Sequence, residues 1–262
     1  MNKVKGFFGG VLNDTKILLR NVPPIAIALF LISVVGMNLL ANKSIDFGVE
    51  WLAADCGILL SWLYFLSMDM ITKRFGPYAA TMVSILGLLV SLLMSLIFFI
   101  ASYIPGIWSE SFIEGSEDVI NTALNNTFRG TWYIILGSAT AYTISAIINN
   151  LLNYSIGKLF KKNPDGVVAF MTRSYVSTLI AQFIDNLIFS LIVSKIFFGW
   201  TFLQCISASL IGCVIELLCE VVFSPIGYKI SKKWKKEGVG QEYVDYIKNK
   251  RNKDESISNG NI

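Results

Sequence analysis

An aspartate stands in the middle of an otherwise apolar stretch, RSYVSTLIAQFIDNLIF, Arg173 to Phe189. A helix entering a bilayer near Arg173 reaches Asp185 after about 18 Å, past the midpoint of a hydrocarbon core about 30 Å thick. An ionised group at that depth costs several kcal/mol, and where one occurs it faces a bundle interior, a partner or a watery cavity. Gln182, Asp185, Asn186 and Phe189 follow i, i+3, i+4, i+7 spacing and so share one helix face. That face offers an amide, a carboxylate and an aromatic ring, a set suited to a small polar solute that brings hydrogen-bond donors. The competing reading is that these groups bind one another across helices and serve as glue.

A second acidic pair lies near the end of the apolar sequence. Glu216 and Glu220 stand one helical turn apart, on the face that also carries Gly212 and Cys213. Two acids so placed in a low-dielectric site rarely both ionise, an arrangement suited to proton coupling. Pairing with Lys195, Arg173 or Lys229 is the alternative. Glu216 falls near mid-membrane and joins the substrate set, whereas Glu220 falls nearer the cytoplasm. Asp69, just before Lys73-Arg74, is either a gating residue or half of a local ion pair. Asn38 adds a neutral amide to the substrate set, and Asn149, Asn150 and Asn153 add others, amides that also serve as glue between helices. Trp62 is the tryptophan placed to stack on a planar ligand rather than to sit in an interfacial belt.

The elements that must hold these residues follow from composition. In 262 residues, 54% are hydrophobic and 15% charged, with a mean hydropathy of +0.59. Soluble domains carry about 25% charged residues, so this composition is that of an integral membrane protein. Six apolar runs are expected to span as helices: 25–41, opened by Pro23-Pro24, then 52–71, 78–103, 130–154, 172–197 and 201–228. Basic residues collect in alternate connections: Lys3, Lys5, Lys16 and Arg20; Lys73-Arg74; Lys158, Lys161, Lys162 and Arg173; and Lys229 through Lys236. The positive-inside rule therefore places both termini in the cytoplasm. The opposite side receives Asn42 to Trp51, the loop 104–129 with Glu110, Glu114, Glu117 and Asp118, and a tight turn near Gly199. The expected fold is an all-α polytopic membrane protein, a bundle of six transmembrane helices. Residues 1–24 form a basic cytoplasmic or interfacial segment, 25–228 the transmembrane domain, and 229–262 a basic, disordered cytoplasmic tail with at most a short helix around 243–248. Pro225, followed by Gly227, is expected to end or bend the last span.

Several function classes are excluded. No histidine is present, and Cys56, Cys205, Cys213 and Cys219 have no CxxC spacing, so neither zinc nor a disulfide framework is expected. No cofactor is implied. The chain has no GxxxxGKS or GxxxxGKT phosphate loop, so transport energy would come from an ion gradient, substrate trapping or a partner. No GxSxG or GxGD motif supports an intramembrane enzyme, and nothing indicates a nucleic-acid partner. The partners implied are the lipid bilayer and a small-molecule substrate, with a homo-oligomer or an energising partner complex left open.

Four stretches resemble the bacterial queuosine-precursor transporter family, also called the VUT or vitamin-uptake family. They are NLLANKSIDFG (Asn38 to Gly48), WLYFLSMDMITKRFG (Trp62 to Gly76), RSYVSTLIAQFIDNLIF and SASLIGCVIELLCEVVFSPIGYKI (Ser207 to Ile230). The second stretch departs from the family in one place, with Lys73 where members often carry an acid. The resemblance implies a six-span carrier of the bacterial inner membrane that imports 7-deazaguanine precursors of queuosine. The residues are compatible with this. A deazaguanine edge presents adjacent N–H donors that a carboxylate such as Asp185 or Glu216 accepts in bidentate fashion, and Phe189 or Trp62 offers a ring to stack on the base. The alternative is a substrate-binding membrane subunit of an ATP-driven vitamin uptake complex of the energy-coupling-factor type.

Overall fold

The computed structural model describes residues 2–108, 115–157 and 167–259, with side chains described except at 2–8, 149–150, 153–154, 157, 167–175 and 253–259. Asn149, Asn150, Asn153, Lys158, Lys161, Lys162, Arg173, Glu110, Glu114, Lys3 and Lys5 therefore lie outside the described side chains. The chain is all-α and polytopic. Its helices are α1 (Asn2–Asn21), α2 (Pro24–Leu40), α3 (Ser61–Phe75), α4 (Pro77–Ala101), α5 (Glu117–Gly157), α6 (Val167–Phe189), α7 (Lys195–Phe198), α8 (Phe202–Lys236) and α9 (Gln241–Asn259). A π-helical turn, Ser190–Ser194, joins α6 to α7, and Gly199 ends α7 in the left-handed conformation at φ 67°. Two-residue strands β1 (Ser44–Ile45) and β2 (Ala54–Asp55) pair antiparallel.

Four helical stretches among the described residues are long and apolar enough to cross a membrane: Pro77–Ala101, Glu117–Ile148, Val176–Phe198 and Phe202–Lys236. Gly9–Asn21 and Pro24–Leu40 meet the same test together but are bent by 111° at the intervening break. Pro24 opens α2, where a missing N–H costs nothing and the fixed φ suits the first helical turn.

The run expected as a helix from Leu52 begins otherwise. Residues 54–55 pair with 44–45, and a 3₁₀ turn, Cys56–Leu60, precedes the 15-residue α3. Asp55 caps that turn, its carboxylate accepting from the Gly57 N–H at 2.8 Å, which diverts the backbone from an α-helical start. α5 begins at Glu117, earlier than the expected Gly130. Glu117 and Asp118 complement the helix dipole in its first turn, and Asn121 and Asn125 accept from the Trp108 backbone N–H and indole N–H. α8 runs through Pro225 to Lys236, so of the two outcomes expected at that proline, an end or a bend, the end does not occur. One proline removes one backbone donor and leaves the Val221 carbonyl without its helical partner, a loss that the remaining bonds of a 35-residue helix absorb.

The chain forms two compact units: Met1–Ser33, Trp62–Gly87 and Glu220–Ile262 make one, Val34–Ser61 and Leu88–Cys219 the other. In the first unit, the stretch expected as a disordered tail forms α9. Tyr243 is fully buried and packs its ring on Phe75, which also meets Trp234. Arg74 donates to the Val239 carbonyl at 2.8 Å and to Gln241 at 3.2 Å. Gly240 has φ 66°, and a side chain there would collide with the Phe75 ring, so glycine is required at this turn. Asp14 of α1 is fully buried and accepts from Lys250 at 2.6 Å, Tyr78 at 2.7 Å and Tyr246 at 2.8 Å. In the second unit, Ala41, Ile134 and Val193 form one apolar cluster, and Ala53, Trp200 and Cys205 another.

Candidate functional site

Asp185 on α6 and Glu216 on α8 lie in the same unit, close enough for their charges to interact. Each meets one described polar side chain. Ser145 of α5, itself buried, places its hydroxyl 2.9 Å from Asp185 Oδ1. Asn186, next to Asp185 on α6, donates from Nδ2 to Glu216 Oε1 at 3.3 Å. Gly212 makes that second contact possible. A Cβ at 212 would stand 2.8 Å from Asn186 Nδ2, closer than side-chain carbons tolerate. The absence of a side chain one turn before Glu216 thus gives the amide its place between α6 and α8.

Among the described residues, neither Asp185 nor Glu216 forms an ion pair. Lys195 and Lys229, weighed from sequence as partners for the glutamates, are both exposed. Gln182, one turn before Asp185 and Asn186, buries its Oε1 without a hydrogen-bond partner. The cluster therefore presents acceptor oxygens in excess of the donors that answer them. A buried acceptor left unanswered, as Gln182 Oε1 is, costs about 1–3 kcal/mol, so the arrangement suits a solute that arrives with N–H groups. Among the described residues no group of three or more His, Cys, Asp or Glu is placed to hold a metal ion.

The remaining sequence candidates fall elsewhere. Phe189 packs with Tyr133, Ile192 and Phe197 on the Ala41, Ile134 and Val193 cluster. Asn38 donates to the Val34 carbonyl of its own helix at 3.0 Å. Trp62, Asp69 and Glu220 belong to the other unit. There Trp62 lies against Phe223 with ring centroids 5.2 Å apart. Asp69 pairs with Lys73 at 3.0 Å, and Lys73 also reaches the Ser224 hydroxyl. Glu220 interacts electrostatically with Asp69 and Lys73. The two glutamates one turn apart on α8 thus have different company, Asn186 for one and an acid–lysine pair for the other.

Sequence reasoning missed Ser145. It is one of several hydroxyls on α5, and Thr140 and Thr143 spend theirs on carbonyls of their own helix. Nothing in the spacing of these residues singles out the one that turns toward α6.

A family model described as "Putative vitamin uptake transporter" matches residues 55–230, two thirds of the chain. No curated protein and no solved structure matches. The matched range contains both members of the acidic pair, the Ser145 and Asn186 contacts, Gly212, three of the helical stretches able to cross a bilayer and most of the fourth. The chain belongs to the vitamin uptake transporter family and is a multi-pass membrane protein of that transporter family.

Proposed function

We propose that this protein is a secondary carrier of the bacterial inner membrane that imports a 7-deazaguanine queuosine precursor, or a similar small heterocycle, through the site around Asp185 and Glu216. The observation that carries this reading is a pair of acids on apolar helices with no basic partner among the described residues, beside a buried and unanswered Gln182 oxygen. A permanent counter-ion would make the acids structural; a visiting donor makes them a binding site. The N–H donors on the base-pairing edge of a deazaguanine suit such acceptors, and a cationic substituent on the base would meet the second acid. The deazaguanine class itself comes from the resemblance of the four stretches named above.

The proposed topology has six spans with both termini cytoplasmic. It takes α2 as the first span and residues 56–75 as the second, since a 3₁₀ turn and a 15-residue helix have a combined rise of about 32 Å, enough for a hydrocarbon core. Lys73-Arg74 and Lys229 through Lys236 then fall on the inner side, in keeping with the positive-inside rule.

Purified protein in liposomes, given radiolabelled 7-deazaguanine with a competing panel of deazaguanines, purines and vitamins, tests both substrate and mechanism. Uptake by the protein alone, lost in Asp185→Asn while the variant remains folded, is the expected result. Full uptake by that variant would overturn the carboxylate site. Saturable binding without uptake would instead favour the subunit of an ATP-driven complex.

A further inference from the structure

We propose that Ser145 is the positioning residue of the substrate carboxylate: its hydroxyl pins Oδ1 of Asp185 and so fixes the plane in which both carboxylate oxygens meet a ligand with two adjacent N–H donors. The inference rests on the reading of Asp185 as a substrate group. Its foundation is a conflict over one proton. The Ser145 hydroxyl lies 3.0 Å from the Tyr142 carbonyl and 2.9 Å from Asp185 Oδ1, both able to accept, and a hydroxyl has one hydrogen to give. The Tyr142 carbonyl lies inside the continuous α5 helix, where the backbone N–H four residues on already serves it. Losing the serine bond leaves that carbonyl satisfied. Asp185 has no other described hydrogen-bond donor, so the proton is worth more there, and a bond to an ionised acceptor is roughly twice as strong as a neutral one.

A carboxylate held at one oxygen cannot spin about its terminal torsion, which is otherwise soft. Each carboxylate oxygen has two lone pairs, so Oδ1 accepts from Ser145 and still has capacity for a ligand, while Oδ2 takes the second donor. The fixed plane therefore selects for paired donors over a single one. Ser145 acts through Asp185 and need not touch the ligand.

The experiment measures uptake by full-length protein in liposomes with two probes, 7-deazaguanine and 7-deazahypoxanthine, which lacks the exocyclic amino group and offers one donor on that edge. Ser145→Ala is expected to raise KM for 7-deazaguanine about tenfold and for 7-deazahypoxanthine less than threefold, with Vmax within twofold, and Ser145→Thr to restore the original values. In parallel, the infrared band of the Asp185 carboxyl group, assigned by its disappearance in Asp185→Asn, is expected to move in Ser145→Ala and return in Ser145→Thr. If Ser145→Ala does not insert, Ser145→Cys, with its weaker thiol donor, carries the same comparison. Equal changes in KM for the two probes, no change for either, or an unmoved infrared band would overturn the positioning role while leaving the carboxylate site standing. Full uptake of both probes by Asp185→Asn would overturn the underlying reading instead.

Discussion

Asp14 and Asp185 are both acids set among helices, one in each unit, and they are kept in opposite ways. Asp14 is wholly buried between α1, α4 and α9, and three donors converge on it from Lys250, Tyr78 and Tyr246. Burial alone would raise its carboxyl, but the Lys250 ammonium and the two tyrosine hydroxyls outweigh that and hold it below the usual carboxylate range. Asp185 has one serine hydroxyl and no cation among the described residues. The difference teaches that depth does not distinguish a joint from a site; the company an acid keeps does. Asp14 with its fixed partners fastens α9 to α1, whereas Asp185, on the function proposed for it, leaves its charge to be answered by a ligand.

The sharpest way to break this comparison is to neutralise each acid in turn and read uptake and stability separately. Asp185→Asn removes a charge with no ionic partner, so the folded protein should melt at the same temperature or higher, while uptake of 7-deazaguanine falls on the order of 100-fold. Asp14→Asn should do the reverse. It removes the charge that answers Lys250 and replaces one of the two acceptor oxygens by an amide donor, so the three donors are left with a single neutral oxygen; this should cost about 2–3 kcal/mol of stability, with uptake per folded molecule retained. A melting temperature lowered by Asp185→Asn as much as by Asp14→Asn would erase the distinction.

Acid sharpens the same contrast. Because the folded chain holds the Asp14 carboxyl lower than the unfolded chain does, its stabilisation is fully present above the ordinary value of 3.8 and is lost as pH falls through the lowered folded value. The stability gap between wild type and Asp14→Asn should therefore be constant near neutrality and close below about pH 4. Thermal melts across that range check it; a gap that closes between pH 6 and 8 would mean another group carries the joint.

A smaller effect is expected at Gly212. In Gly212→Ala the new carbon would press on Asn186 Nδ2 and Cγ, 2.8 and 3.0 Å away, and the amide must leave Glu216. Loss of that hydrogen bond, worth about 1 kcal/mol, should weaken uptake by about three- to tenfold. Unchanged uptake would show that Asn186 does not need Glu216.

Much of this was legible in the sequence. Long runs such as 78–103 and 201–228 declare themselves because lipid demands about 20 apolar residues in one stretch. Asp185, Gln182, Asn186 and Glu216 stand out because polar groups are rare in such runs, and Gly212 falls on the face of Glu216. What stayed hidden depends on contacts between distant residues. α9 reads as a polar tail when its composition is averaged, yet Tyr243, Tyr246 and Lys250 fall on one helix face, and Asp14, the group that gives the latter two their purpose, lies more than 230 residues earlier. Leu52 to Leu60 is apolar enough to read as helix, and its diversion depends on pairing with Ser44–Ile45. Ser145 differs from Thr140 and Thr143 only in what stands opposite it.

The smallest expected effect concerns Asp69, which the sequence left between a gate and a local pair. It stands 3.0 Å from Lys73, one turn on in the same helix, with both side chains about 30% exposed. An i, i+4 pair of this kind contributes about 0.3–0.5 kcal/mol. Lys73 also holds Ser224 of α8, so it keeps a partner when the acid is neutralised. Asp69→Asn should thus lower stability by less than about 0.5 kcal/mol and leave uptake within twofold. Glu220 provides the sharper control, because it interacts electrostatically with the same lysine as well as with Asp69. If the pair is local, removing Asp69 lets Lys73 turn to Glu220 and the double variant Asp69→Asn, Glu220→Gln should lose more than the two single losses combined. Strict additivity would show that Lys73 does not exchange Asp69 for Glu220, and a tenfold loss of uptake from Asp69→Asn alone would place this acid in the transport cycle.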